Sequence, residues 1–230
     1  MKTLKKLILP AVFLLLLAGI AGYFQGVTKA QQEQIVTLLQ VNADQDLMLQ
    51  AHDKQIPYIT RYVKLVKEVN EAAGDKMSAY EVTEVARIIL TKCQLHQGIG
   101  LKPSIIMGLI ERESGFNPDA VSVSHAYGLM QVIRSTAEMH LPRLGYGAWS
   151  KELALDPIVN IEIGIGELVR LRKLFLEEGL KDWVLPISAF FWGERNTWAL
   201  LLSKKRANLP SLEYAKGVLD NARAWEEKGV

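Results

Sequence analysis

The chain reads as an all-α protein. Apolar residues recur at three- and four-residue spacing along most of the sequence from Ile59 onward, and helix-start signals stand in front of several of those runs. Long strand-like alternation is absent. With 230 residues, 49% hydrophobic and 23% charged, the chain can bury a real core without disulfide or metal support.

Taken in order, Lys2, Lys5 and Lys6 precede an uncharged stretch from Leu7 to Phe24, at the lower edge of bilayer-spanning length. Small residues at Ala18, Gly19, Ala21 and Gly22 would permit cleavage as a signal peptide. The run is longer than an ordinary signal core and has no sharply placed A-x-A site, which favours an uncleaved anchor over residues 1–29. The basic terminus then stays inside, and the rest of the chain faces the periplasm or cell exterior from the cytoplasmic membrane. A cleaved, secreted form is the alternative. Residues 30–75 read as a stalk: Gln- and Asp-rich to Gln55, then Ile59, Tyr62, Val63, Val66 and Val69 at helical spacing, closed by Gly74-Asp75.

The main domain is expected over residues 76–230. Ser78-Ala79-Tyr80-Glu81 is a capping box and predicts a helix with Val82, Val85, Ile89 and Cys93 inward. The next helix starts near Pro103 and carries Ile106, Leu109, Ile110 and Glu113 at i, i+3, i+4 and i+7. Ser135-Thr136-Ala137-Glu138 has the pattern of a second capping box. Asp156-Pro157 opens a longer helix with Ile158, Ile161, Ile165, Leu168 and Phe175 on one face and Gly179 at its end. Gly164 and Gly166 weaken that helix by about 1 kcal/mol each relative to Ala, a cost that implies close packing. Further helices are expected at about 183–192, 196–206 and 211–227.

Composition narrows the function. A net charge of +2 with dispersed basic residues argues against nucleic acid. Cys93 is the only cysteine, so no intrachain disulfide can form. His52, His96, His125 and His140 show no ligand spacing, so neither a metal nor a cofactor is expected. Gly164-Ile165-Gly166-Glu167 lacks the third glycine and preceding strand of a dinucleotide loop, and no nucleophile elbow is present.

Glu113 is the candidate catalytic residue. Helical periodicity puts it on the apolar stripe, while Glu111 and Arg112 project elsewhere. A carboxyl there holds its proton to higher pH than a free Glu, as a general acid near neutrality requires. Ser114-Gly115 then ends the helix, placing the carboxyl at a loop junction where a cleft wall can form.

The series Glu113-Ser114-Gly115-Phe116-Asn117-Pro118-Asp119-Ala120-Val121-Ser122, then Ala126-Tyr127-Gly128-Leu129-Met130-Gln131 and Ser135-Thr136-Ala137, resembles the soluble lytic transglycosylase domain. Asp156-Pro157, Asn160-Ile161, Gly164 and Leu168 resemble its next stretch, and Tyr214 to Leu219 its closing helix; the likeness runs from about residue 80 to 222. The resemblance implies a lysozyme-like helical fold and an enzyme of the bacterial cell wall. It implies that Glu113 is sole acid/base, protonating the bond between N-acetylmuramic acid and N-acetylglucosamine and then deprotonating the C6 hydroxyl to leave a 1,6-anhydromuramyl end. By the same carry-over Ser114 supports the acid, Ser122 and Gln131 line the sugar groove, Gly128 and Met130 lie in its floor, and Tyr214 stands near the carboxyl. Met130 and Tyr214 read equally well as core. Asp119 is more simply a turn residue than a second carboxylate.

One departure stands out. Where the family carries Ala-Tyr-Asn-Ala-Gly, this chain has Ala189-Phe190-Phe191-Trp192-Gly193. Phe190 replaces a tyrosine whose hydroxyl would reach the carboxyl, and Phe191 replaces the asparagine. Either activity is reduced, or Tyr127 or Tyr214 supplies the hydroxyl; the aromatic cluster can also raise the proton affinity of Glu113 by excluding water. The expected partners are peptidoglycan strands and the membrane, with a secretion, pilus or phage assembly as a further candidate. A water-using muramidase and a silent glycan-binding module are the competing readings.

Overall fold

The computed structural model describes residues 37, 40, 56–202 and 210–230. The expected anchor and most of the stalk lie outside these, and among the described residues no helix is long and apolar enough to cross a membrane. Two units are distinguished, Met1–Tyr58 and Ile59–Val230. In the first, Thr37, Gln40 and residues 56–58 are helical.

The second unit begins with a helix over residues 59–73 (α1). It continues through α2 (Ala79–Leu95), α3 (Pro103–Ser114), β1 (Ala126–Tyr127), β2 (Val132–Ile133), α4 (Arg134–His140) and α5 (Lys151–Leu155). The remaining helices are α6 (Pro157–Glu177), α7 (Val184–Trp192), α8 (Glu194–Leu202) and α9 (Pro210–Glu227). β1 and β2 form a two-stranded antiparallel sheet with Ala126 opposite Ile133. Strands of two residues are too short for alternation to register in a sequence, so the all-α expectation missed them.

In α1 the buried apolar residues are Leu65, Val69 and Ala73, while Ile59 and Val63 are 53% and 61% exposed, so its inward face is turned from the expected one. α2 starts as predicted: Ser78 N donates to Glu81 Oε2 at 2.7 Å and Glu81 N donates to Ser78 Oγ at 3.3 Å. Val82, Val85, Ile89 and Cys93 are buried. The second expected capping box does not form. β2 runs straight into α4, the cap falls at Ile133, and Ser135 is already helical; Glu138 instead accepts from Arg134 Nε at 2.7 Å.

α6 is the central helix, with Ile161, Ile163, Ile165, Leu168, Leu171 and Phe175 fully buried. Asp156 Oδ1 caps it, accepting from Ile158 N at 2.9 Å and Val159 N at 3.0 Å. A Cβ on Gly164 would stand 2.4 Å from Met130 Sδ, and one on Gly166 3.0 Å from His140 Nδ1. Both glycines therefore serve close packing, as their cost implied. The last three helices fall near their expected places; residues 203–206 of the second lie outside the described ones.

α3 and α9 run antiparallel in close contact, and this positions the site. Ser104 at the start of α3 donates to Glu226 near the end of α9 (3.1 Å), and a Cβ on Gly108 would lie 2.7 Å from Val218 O. Followed five residues further along α3 and four residues back along α9, that contact brings Glu113 to Tyr214.

Candidate active site

Glu113 occupies the last turn of α3. The helix ends on Gly115, whose φ of +56° and N–H bond to Glu111 O turn the chain out of the helical path. Ile106, Leu109 and Ile110 beneath it are fully buried, Glu111 and Arg112 are exposed, and Glu113 itself is half-buried. The helical periodicity thus placed the carboxyl correctly.

Its partner is Tyr214, whose hydroxyl donates to Glu113 Oε1. Burial raises the proton affinity of the carboxyl first and most; the Tyr214 hydrogen bond and the Arg112 charge pull it back, and it rests at about 7. Burial and the neighbouring Glu113 push the Tyr214 phenol well above its ordinary range, so it stays a donor. Of the two hydroxyls named as substitutes for the missing tyrosine, Tyr214 is thus the one in place. Tyr127 is buried and packs against Trp149, with ring centroids 6.1 Å apart.

The segment after Glu113 is held by local hydrogen bonds. Ser114 Oγ lies 2.9 Å from Leu129 O and 3.2 Å from Ile110 O, tying the end of α3 to the Gly128–Gln131 turn. Asn117 Oδ1 accepts from Asp119 N at 3.1 Å, so Asp119 is the exposed turn residue the sequence suggested. Ser122 Oγ accepts from Ala126 N at 3.0 Å and fixes the loop entering β1. Gln131, at φ +46°, donates from Nε2 to Gly128 O and Ala120 O at 3.0 and 3.1 Å. Gly128 N donates to Ala120 O at 2.8 Å. The predicted residues Ser114, Gly128 and Gln131 therefore belong to one hydrogen-bonded framework beside the acid.

Two other predicted residues act from the core side. Met130 is fully buried against Gly164. Phe190 is half-buried between the main core and the smaller cluster of Leu171, Phe175, Leu185 and Ala189. Its neighbour Phe191 is the aromatic at the site, stacked on Tyr214 with ring centroids 4.2 Å apart and planes 14° apart.

Asn160, one residue of the Asp156–Leu168 stretch, organises the turn. Oδ1 accepts from Met130 N at 2.8 Å, and Nδ2 donates to Tyr127 O and Ala154 O at 2.7 Å each. The available signal was a polar residue inside the run Ile158 to Ile163. Gly108 was equally silent, because its role depends on which helix packs against it. Among the described residues no group of three or more His, Cys, Asp or Glu side chains could hold a metal ion.

A half-buried carboxyl at a helix end, hydrogen-bonded to one tyrosine and set beside a hydrogen-bonded turn, marks out one corner of a helical domain. The transglycosylase SLT domain model matches residues 94–208, half of the chain, and the protein belongs to that family. Membrane-bound lytic murein transglycosylase C from Histophilus somni is 40% identical over 80 residues, 34% of this chain and 22% of that protein. The protein of that name from Shigella sonnei is 37% identical over 86 residues, 36% of this chain and 24% of that one. The chain thus matches about a quarter or less of these relatives' length. Among solved structures, an inactive mutant of lytic transglycosylase Slt from Pseudomonas aeruginosa has a TM-score of 0.50 at 25% identity, covering 60% of this chain and 24% of that one. The 70 kDa soluble lytic transglycosylase from Escherichia coli has a TM-score of 0.50 at 19% identity over 71% and 29% of the two chains, a likeness of fold.

Proposed function

We propose that the protein is a peptidoglycan lytic transglycosylase with Glu113 as its only acid and base. The observation that carries the reading is the Glu113–Tyr214 pair at the helix–loop junction of an SLT domain, with the carboxyl titrating at about 7. At neutral pH a large fraction of such a carboxyl is protonated, and the other fraction can accept, so one group can serve in both steps.

In the first step Glu113 gives its proton to the glycosidic oxygen between N-acetylmuramic acid and N-acetylglucosamine as the bond to C1 breaks. In the second the carboxylate takes the proton of the C6 hydroxyl as that oxygen bonds to C1. Glu113 ends protonated and no water is consumed. Ordinary glycosidases use a second carboxylate; here the substrate's N-acetyl group would stabilise the cationic centre. In this reading Ser114 steadies the acid through Leu129 O, the Gly128–Gln131 backbone forms the groove floor, and Ser122 and Gln131 flank it.

Residues 1–29 would anchor the domain (residues 76–230) to the cytoplasmic membrane through the stalk, with the domain outside. The uncharged stretch Leu7–Phe24 and the membrane-bound relatives support this.

Digestion of purified peptidoglycan followed by mass spectrometry of the products tests the chemistry. Anhydromuramyl ends that disappear in Glu113→Gln are expected. Reducing ends would make the protein a muramidase, and no release by the wild type would sink the enzymatic reading.

A further inference from the structure

α7 ends at Trp192, and its last turn presents two aromatic rings to the surface: Phe191 is 49% and Trp192 41% exposed. The Phe191 ring stacks on Tyr214, only 7% exposed, whose hydroxyl holds the acid. The Arg112 guanidinium carbon also stands 5.8 Å from the Tyr214 ring centroid. Tyr214 is thus held by a nearly parallel phenyl contributed by a different helix. Phe190 brings no hydroxyl to α7, and the next α7 residue, Phe191, contacts the tyrosine that holds the acid.

We propose that Phe191 is a positioning residue: stacking on Tyr214 holds the phenol in the orientation that reaches Glu113 and keeps water from the pair. The inference rests on the proposed role of Glu113 and adds to it the device that sets its protonation. A phenyl in near-parallel contact leaves the tyrosine little room to tilt, and it covers ring surface that water would otherwise wet. The asparagine expected at this position cannot do either, since its amide would draw water to the same place.

The test compares full-length wild type with Phe191→Ala, Phe191→Asn and the aromatic rescue Phe191→Tyr, in both activity and stability. Activity that needs a protonated Glu113 falls as pH rises through about 7. Removing the ring hydrates the acid, which lowers its proton affinity, and loosens the Tyr214 bond, which raises it; burial is the larger cause, so the net movement of this limb in Phe191→Ala and Phe191→Asn is expected to be to lower pH. A shift of about half a pH unit or more is expected, with a lower kcat and little change in KM. Phe191→Tyr should restore the wild-type profile. If the ring merely offers a platform for sugar, KM rises while the pH limb stays put, and the proposal is overturned.

A second readout needs no turnover. The gap in thermal midpoint between each protein and its own Glu113→Gln version, followed against pH, reports the ionisation of Glu113 directly. A wild type that releases no product would reject the lyase reading, yet this titration would still decide the role of Phe191. An unchanged midpoint titration in Phe191→Ala overturns it.

Discussion

Glu113→Gln should make the protein more stable as the pH rises, while abolishing the proposed activity. In the fold the carboxyl titrates at about 7 against an ordinary 4.5, so keeping it ionised costs about 3 kcal/mol of folding stability. The folded value is the raised one. The wild type therefore has its full stability below about pH 4.5, where the group is protonated folded and unfolded, and loses it as pH climbs to and through 7. Glutamine removes the charge and leaves a carbonyl to accept from the Tyr214 hydroxyl, so the variant escapes the loss. The two proteins should have similar thermal midpoints near pH 4.5 and diverge by roughly 6–12 °C at pH 8, since about 1 kcal/mol moves the midpoint of a domain this size by roughly 2–4 °C. Other titrating groups are common to both proteins and cancel in the difference. Thermal unfolding followed by circular dichroism across that pH range measures it. A gap that is constant with pH would refute the burial argument, because a lost contact without a lost charge has no reason to titrate.

Three further outcomes follow from the same contacts. Tyr214→Phe removes a hydrogen bond to the acid worth about 1–3 kcal/mol; since that bond lowers the proton affinity of Glu113, the alkaline limb of activity should move to higher pH, which a pH–rate profile reads. Gly108→Ala sets a methyl 2.7 Å from Val218 O and 2.8 Å from Ala222 N, both backbone atoms that cannot step aside, so α3 and α9 must separate. A loss of about 1–3 kcal/mol in urea unfolding is expected, together with a drop in kcat as Tyr214 draws away from Glu113. Asn160→Ala strands the buried Met130 N–H and two carbonyls, which should lower stability by about 3–5 kcal/mol and loosen the Gly128–Gln131 turn, visible as faster amide exchange at Met130.

Which features the sequence disclosed depends on how local their causes are. The start of α2 was legible because Ser78 and Glu81 satisfy each other's backbone within one turn. The same pattern misled at Ser135, where the direction from which the chain enters the helix is set by β2, outside the four residues of the motif. Glu113 was legible because periodicity needs only its own helix. For Tyr214 the sequence supports two readings, core and site, and the structure joins them: the ring is 7% exposed and its hydroxyl holds the acid. No local rule connects residues 101 positions apart.

That separation also means that the hydroxyl held on Glu113 leaves no trace in the local motif around the acid. Phe190 packs half-buried between the two apolar clusters, whereas Tyr214 reaches Glu113 from α9 across a contact that Gly108 makes close enough. Phe190 thus offers no hydroxyl from α7, and its neighbour Phe191 stacks on the tyrosine that holds the acid. Restoring the tyrosine alone would put a hydroxyl into the apolar packing between the two clusters, while the carboxyl already has the Tyr214 donor. In Phe190→Tyr the expected result is no gain in activity, and a loss of stability read as a lower thermal midpoint. A gain in kcat would show instead that the Tyr214 hydrogen bond leaves the acid incompletely held.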